Sequence, residues 1–347
     1  MEKSLKKDII INRLPVVIYF ILIFAALIVI ISAVAPMSNH EPKTTDTYSD
    51  FSTGWLNCEE SEASLDHLSG TTVIHRTITA ADCNKTLFFF AKTSNIKVFI
   101  DGVCQYKNKH FCSQFFGKTP GALFVNVLIP AKSDGKLLEI EIENPYKDDD
   151  SAKLDEMYIG DISDIIQFQQ QKRFHPFCLS FIIMVLGVVM LLLFIPPTRQ
   201  KMVGIEFVNL GVTAFVSGLY LTTDGRYLQL VFGDAHIYHV IAETAMRLAT
   251  PLFLIFLSQM YDSYSKRIST ILCVIGEIAF AGCFIGEITE IMDYHETLFL
   301  VHVVFAISML FILVSTIKGI VKAPKENIYH NIGCIVLSFM AMTDVIV

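Results

Sequence analysis

Residues 177–195 form an almost unbroken apolar run, and the chain obeys different rules on its two sides. At about 1.5 Å per residue, a helix of that length crosses a hydrocarbon layer of about 30 Å. Just before it lie residues 157–161 (MYIGD), ending in the turn pair Gly160 and Asp161. A polar connector follows, residues 162–174, carrying Gln167, Gln169, Gln170 and Gln171. Upstream, short apolar stretches alternate as strands do; downstream, apolar runs recur at membrane-spanning length. Such a chain joins a soluble, strand-rich domain to a helical bundle through this one stretch. The part before it reads as a detector and the part after it as the carrier of a signal across the membrane.

Composition supports that division. Hydrophobic residues make up 53% of the 347 and the mean hydropathy is +0.52, values that suit a multi-span membrane protein with one soluble domain. The lipid bilayer is therefore the first expected partner. A formal net charge of -7, with no basic patch interleaved with aromatics, excludes a nucleic-acid partner. Four cysteines (Cys58, Cys83, Cys104, Cys112) fall in the soluble segment and four (Cys178, Cys273, Cys283, Cys334) in the apolar runs. The soluble four allow three pairings, among which the sequence does not choose. No CxxC spacing points to a zinc knuckle or a redox site, and the cysteines read first as small buried side chains.

Taken in order, residues 1–14 carry Lys3, Lys6, Lys7 and Arg13, and residues 15–35 are apolar apart from Tyr19 and Ser32. The run is too long for an ordinary signal-peptide core and suits an uncleaved signal anchor with its amino terminus in the cytoplasm. Residues 36–173 read as an extracytoplasmic β-sandwich. Strands are expected at 71–79, 86–90, 96–100, 103–106, 122–129 and 137–143, with Asp101 and Gly102 as the two-residue signal of a type I′ hairpin. Residues 144–153 read as a solvated loop.

From residue 176 to 347 a transmembrane bundle is expected, with runs at 177–195, 203–221, 237–260, 268–285, 297–317 and 328–347. Basic loops (Arg199 and Lys201; Lys266 and Arg267; Lys318, Lys322 and Lys325) alternate with acid-rich ones (Asp224, Arg226 and Asp234; Glu287, Glu290, Asp293 and Glu296). Because basic loops stay in the cytoplasm, the sandwich is placed outside. The last run leads outward and stops at Val347, from which a further span and a cytoplasmic output module are expected.

Several short stretches resemble one family. They are 51–55 (FSTGW), 98–102 (VFIDG), 116–121 (FGKTPG), 144–146 (NPY) and 159–161 (IGD), in this order and spacing. With the anchor, the strand-rich segment and the spans, they resemble the bacterial seven-transmembrane receptors with diverse intracellular signalling modules, above all the membrane-bound diguanylate cyclase (GGDEF) sensors. The resemblance implies a galactose-binding-like jelly roll outside, six of the seven receptor spans here, and an output enzyme beyond them. It also leaves room for a homodimer through the bundle or the output module. The chain departs from the family in holding no GGDEF motif, kinase histidine box or nucleotide loop. A sensor histidine kinase input half is therefore an alternative to the cyclase sensor.

Two sets of residues stand out as candidate sites. Trp55, Tyr106, His110, Phe115 and Phe116 could stack and hydrogen-bond an extracytoplasmic small molecule, carbohydrate or protein. Against this, aromatics in small sandwiches commonly pack inward. In the third receptor span His236, His239, Glu243 and Arg247 share one helical stripe. Polar groups in lipid face the bundle interior or water. The two histidines and Glu243 could hold a divalent ion or relay protons, with His295 or His302 as a partner from another span. The alternative is an i, i+4 ion pair of Glu243 with Arg247, with the histidines at the interface. The ion pair is preferred, so no metal and no cofactor is expected. The acidic loop 287–296 reads as solvated surface. No triad, catalytic carboxylate pair or phosphate loop emerges, so catalysis is expected only from a module beyond this chain. The expectation of another class is a transporter or polymer-handling protein with an accessory sugar-binding domain.

Overall fold

The computed structural model describes residues 47–108, 121–146, 149–194, 204–233, 235–258, 263–322 and 332–335. The expected anchor, 15–35, and most of the last apolar run lie outside the described residues.

Among the described residues nine strands build two antiparallel sheets: β1 (Tyr48–Asp50), β2 (Leu56–Asn57), β3 (Thr71–Thr77), β4 (Thr86–Lys92), β5 (Asn95–Ile100), β6 (Val103–Lys107), β7 (Ala122–Leu128), β8 (Leu137–Glu143) and β9 (Lys153–Gly160). One sheet has the order β1-β9-β4-β7 and the other β2-β3-β8-β5-β6. Alternation sends Leu138, Ile140 and Ile142 of β8 and Ile96, Val98 and Ile100 of β5 into one core, and leaves Glu139, Glu141 and Glu143 off it. Both residues of the β5–β6 turn have positive φ, 53° at Asp101 and 75° at Gly102, as a type I′ hairpin requires.

Strand β4 (TLFFFAK) breaks the alternation because it is buried on both faces. Leu87, Phe89 and Ala91 face the sandwich core. Phe88 and Phe90 form a second cluster on the other side with Ile165, against which Tyr48, Phe124, Tyr158 and Ile162 pack.

Ile162 and Ile165 belong to helix α1 (Ile162–Phe194), so the expected polar connector and the apolar run are one element. Asp161 starts it, its carboxylate accepting the Ser163 N–H at 2.8 Å. The Ser163 side-chain and backbone bonds hold the Asp161 carboxyl below its usual range. At about 50 Å the helix exceeds the hydrocarbon thickness by several turns. Pro176 lies inside it and removes one backbone donor.

Further helices follow: α2 (Ile205–Asp224), α3 (Tyr227–Phe232), α4 (Ala235–Ser258), α5 (Ser263–Ile288) and α6 (Leu298–Lys322). Four described helices are long and apolar enough to cross a membrane: within α1, α4, α5 and α6. The chain is a membrane protein by that measure, with four candidate spans among the described residues against the six expected.

The chain divides into two compact units whose limits fall inside helices. The first takes in the sandwich, α1 as far as Ile182, and Thr222–His239; the second takes in Ile183–Leu221 and the described residues of Val240–Val347. In the second unit α1 and α2 approach closely through glycine. A Cβ on Gly187 would lie 2.4 Å from the Phe215 amide nitrogen, and one on Gly218 would lie 2.4 Å from that of Met184.

The 144–153 loop is not solvated throughout. Asn144 and Tyr146 are buried, and the Asn144 amide donates to the Leu68 and Asp149 carbonyls at 3.2 and 2.8 Å. Nor is the acidic loop a solvated surface as a whole: Glu287 and Asp293 are buried. Backbone donors account for this, because Glu287 Oε2 accepts the Tyr294 N–H at 2.6 Å and Asp293 Oδ1 accepts the Glu296 N–H at 3.0 Å.

Candidate functional site

The feature that sets this molecule apart from a plain sandwich is the covered outer face of β4. Its shape depends on a bulge in β9. Phe88 pairs with Tyr158 but Phe90 with Asp155, so β9 holds an extra residue there, and Glu156 sits at φ 53°. The bulge turns the Glu156 carboxylate toward helix α1. Lys172 Nζ reaches it at 2.9 Å, and Arg173 Nη2 lies 3.1 and 3.0 Å from its two oxygens. Arg173 also donates to Gln169 Oε1, one turn earlier on the same helix. Burial by itself would raise the Glu156 carboxyl; the Lys172 and Arg173 bonds outweigh it, and the net pKa lies below the usual value.

Phe90 is the platform on which this arrangement rests. The Arg173 guanidinium carbon lies 4.6 Å from the centre of the ring and that of Arg226 lies 4.9 Å away. Arg226 precedes α3, and the charges of Asp224, Glu156 and Asp155 act on it. Burial, and then the Arg173 charge, bring its pKa below the usual arginine range. Two further contacts tie the 222–239 segment to the same sheet. Gln229 Nε2 donates to the Ala122 carbonyl at 2.6 Å. A Cβ at Gly121, whose φ is 76°, would meet the His239 Cβ at 2.8 Å, so the backbone packs against that side chain. Phe177 stacks on Tyr227 with centroids 4.5 Å apart. Within one compact unit, therefore, a sheet of the sandwich packs against the helix leading to one candidate span and the segment leading to another.

The candidates named from sequence fall in different places. Trp55 is only 1% exposed, and its indole N–H donates to the Phe51 carbonyl at 2.8 Å. It is a core residue without a face for a ligand, the inward packing that competed with stacking. Tyr106 is half-buried against the same core. His110, Phe115 and Phe116 lie outside the described residues. Cys58, Cys83 and Cys104 are free thiols, and Cys112 lies outside the described residues.

On α4, His236 and His239 belong to the first compact unit, Glu243 and Arg247 to the second. Arg247 Nη1 lies 2.5 Å from Glu243 Oε2, Nη2 donates to the Tyr294 carbonyl at 2.6 Å, and the guanidinium carbon lies 4.2 Å from the centre of the Tyr294 ring. The Tyr294 hydroxyl lies 2.9 Å from Thr244 Oγ1. Glu243 is thus engaged by Arg247. Among the described residues no three His, Cys, Asp or Glu side chains gather as a metal site would require.

Sequence reasoning missed Glu156, Arg173, Arg226 and Tyr294. Lys172 and Arg173 directly before an apolar run did carry a signal, since long basic side chains near the end of a span reach out to the interface. Nothing local revealed their partner.

Fold and joint together define a class: a membrane protein with an antiparallel two-sheet domain that packs, within the first compact unit, against the start of helix α1 and the 222–239 segment. No family model, curated protein or solved structure matches the chain.

Proposed function

We propose that the chain is the sensory and transmembrane part of a signalling receptor. In this reading the sandwich is a galactose-binding-like domain outside the cell membrane, where it binds a small molecule, a carbohydrate or a protein. The helical region holds six of seven receptor spans and relays binding to a cytoplasmic output module, a diguanylate cyclase by the resemblance given above. The observation that carries the reading is the outer face of β4, where Phe90 is contacted by Arg173 from α1 and by Arg226 from the 222–239 segment. A ligand that shifts this sheet changes contacts made by residues leading directly into two candidate spans. Relay further requires that the ligand bind two arrangements of this joint unequally.

Two measurements on the full chain test the reading. In a background without native cysteines, an impermeant thiol reagent added to intact cells should modify a cysteine at Asp134 and spare one at Lys201 or Lys266; the reverse pattern would refute the orientation. Melting of the chain in lipid nanodiscs against a panel of mono- and oligosaccharides then finds a ligand. Its addition should slow amide exchange in residues 162–174 and 222–233 as well as in the sandwich. Protection confined to the sandwich would argue against a relay.

A further inference from the structure

Helices α2, α4 and α6 line a partly open cavity of about 410 Å³ within the second compact unit, a volume typical of small-molecule sites. Most of its wall is apolar, with Leu210, Phe253, Phe305 and Met309 from the three helices. Polar side chains line it as well: Thr213, Ser217 and Tyr220 of α2, Thr250 of α4 and His302 of α6. Thr250 is itself buried, at 8% exposure. Among the described residues no Asp, Glu, Lys or Arg contributes to the wall.

These facts narrow the chemistry of an occupant. A charged headgroup would sit in a low-dielectric space without a counter-ion, which is strongly unfavourable. A pure hydrocarbon would make no use of the hydroxyls and the imidazole in the wall. What fits both constraints is a long or ringed apolar body carrying one neutral hydrogen-bonding group, a hydroxyl or a carbonyl. The hydroxyls of Ser217 and Thr250 and the imidazole of His302 can each donate or accept to it.

We infer that the cavity between α2, α4 and α6 is a binding site for a neutral, lipid-derived amphiphile, an alcohol or a ketone, whose polar group is held by Ser217, Thr250 and His302. This assignment stands apart from the receptor reading, because it needs only the helical unit and no ligand on the sandwich.

The test uses the full chain in phosphatidylcholine nanodiscs and a hexadecanol bearing a mid-chain diazirine. After irradiation, adducts should concentrate on residues 246–253 and 301–309. Unlabelled hexadecanol should compete about tenfold better than hexadecane or hexadecyl phosphate, the factor that one well-made hydrogen bond supplies. Ala214→Phe, which fills the cavity, should remove the adducts while the chain still melts cooperatively. If that variant does not fold, Ala249→Leu serves the same purpose. His302→Leu should abolish the preference for hexadecanol over hexadecane. Equal labelling of the exposed Phe299 and Ile278, or labelling untouched by the filling variants, would reduce the site to ordinary lipid contact and overturn the inference. Hexadecane or hexadecyl phosphate competing as well as hexadecanol would also overturn it, since no neutral headgroup is then selected.

Discussion

The Arg173 guanidinium closes on both carboxylate oxygens of Glu156, at 3.1 and 3.0 Å, while Phe90 lies beneath it. Their side chains are only 10% and 16% exposed. A pair so far from water contributes little relative to an apolar substitute of its own shape, but losing Arg173 leaves Glu156 only the more exposed Lys172 as its counter-charge. Arg173→Met should therefore lower the stability of the first unit by roughly 1–3 kcal/mol, and adding Glu156→Gln should return part of it. Chemical denaturation of the chain in nanodiscs, followed by exchange of the β4 and β9 amides, gives both values. Losses that simply add would show that the two side chains do not act together.

The same pair sets a pH dependence. Glu156 has a lowered pKa in the folded chain, so its contribution is complete above the unfolded value of 4.5 and is lost as pH falls through the folded value. Wild type should melt above Glu156→Gln by a constant margin at neutral pH, and the margin should close on acidification below about 4.5. A margin unchanged down to pH 3 would mean that the carboxylate is not stabilised by its partners.

Gly160 pairs with Tyr48 at the edge of the four-stranded sheet. A Cβ there would lie 2.2 Å from the Thr47 carbonyl oxygen and 2.4 Å from the Tyr48 Cα. Since the obstacle is backbone, it cannot rotate away. Gly160→Ala should cost roughly 1–3 kcal/mol by overpacking and should release β1, seen as faster exchange at Ser49 and Asp50. Gly135→Ala meets nothing within 4 Å but has φ 75°; it should cost about 1 kcal/mol through backbone strain and leave β1 protected.

Arg247 is almost wholly buried beside Glu243 and caps the Tyr294 carbonyl. Arg247→Met should destabilise the helical unit by roughly 3–5 kcal/mol. Glu243→Gln added to it should restore only part, because the Tyr294 carbonyl still lacks its donor. Melts of the solubilised variants, with and without zinc, measure this. No zinc effect is expected, and a zinc-induced rise in melting temperature that vanishes in His239→Ala would make the stripe a cation site instead.

What the sequence by itself determined is what neighbours along the chain decide. Strands β5 and β8 alternate, and Asp101 with Gly102 takes the positive φ values that other residues resist. Residues 177–195 are apolar over a membrane's width, so each of these features could be named before any contact was known. Strand β9 escaped that reading because its bulge changes parity. Leu154 is buried, and then Met157 and Ile159, with the extra residue Glu156 hiding the period. The polar stretch 162–174 gave no sign of its α-helix, since the apolar side formed by Ile162, Ile165 and Phe168 gains stability only against Tyr48 and Tyr158 of a sheet built elsewhere in the chain. Tertiary structure also decided which charge meets which. Arg247 could be paired with Glu243 from their spacing on one helix, because i, i+4 geometry is local. Its second acceptor, the Tyr294 carbonyl, and the meeting of Arg173 with Glu156 and Phe90 depend on segments brought together by burial, which acts between surfaces and leaves no period in the sequence.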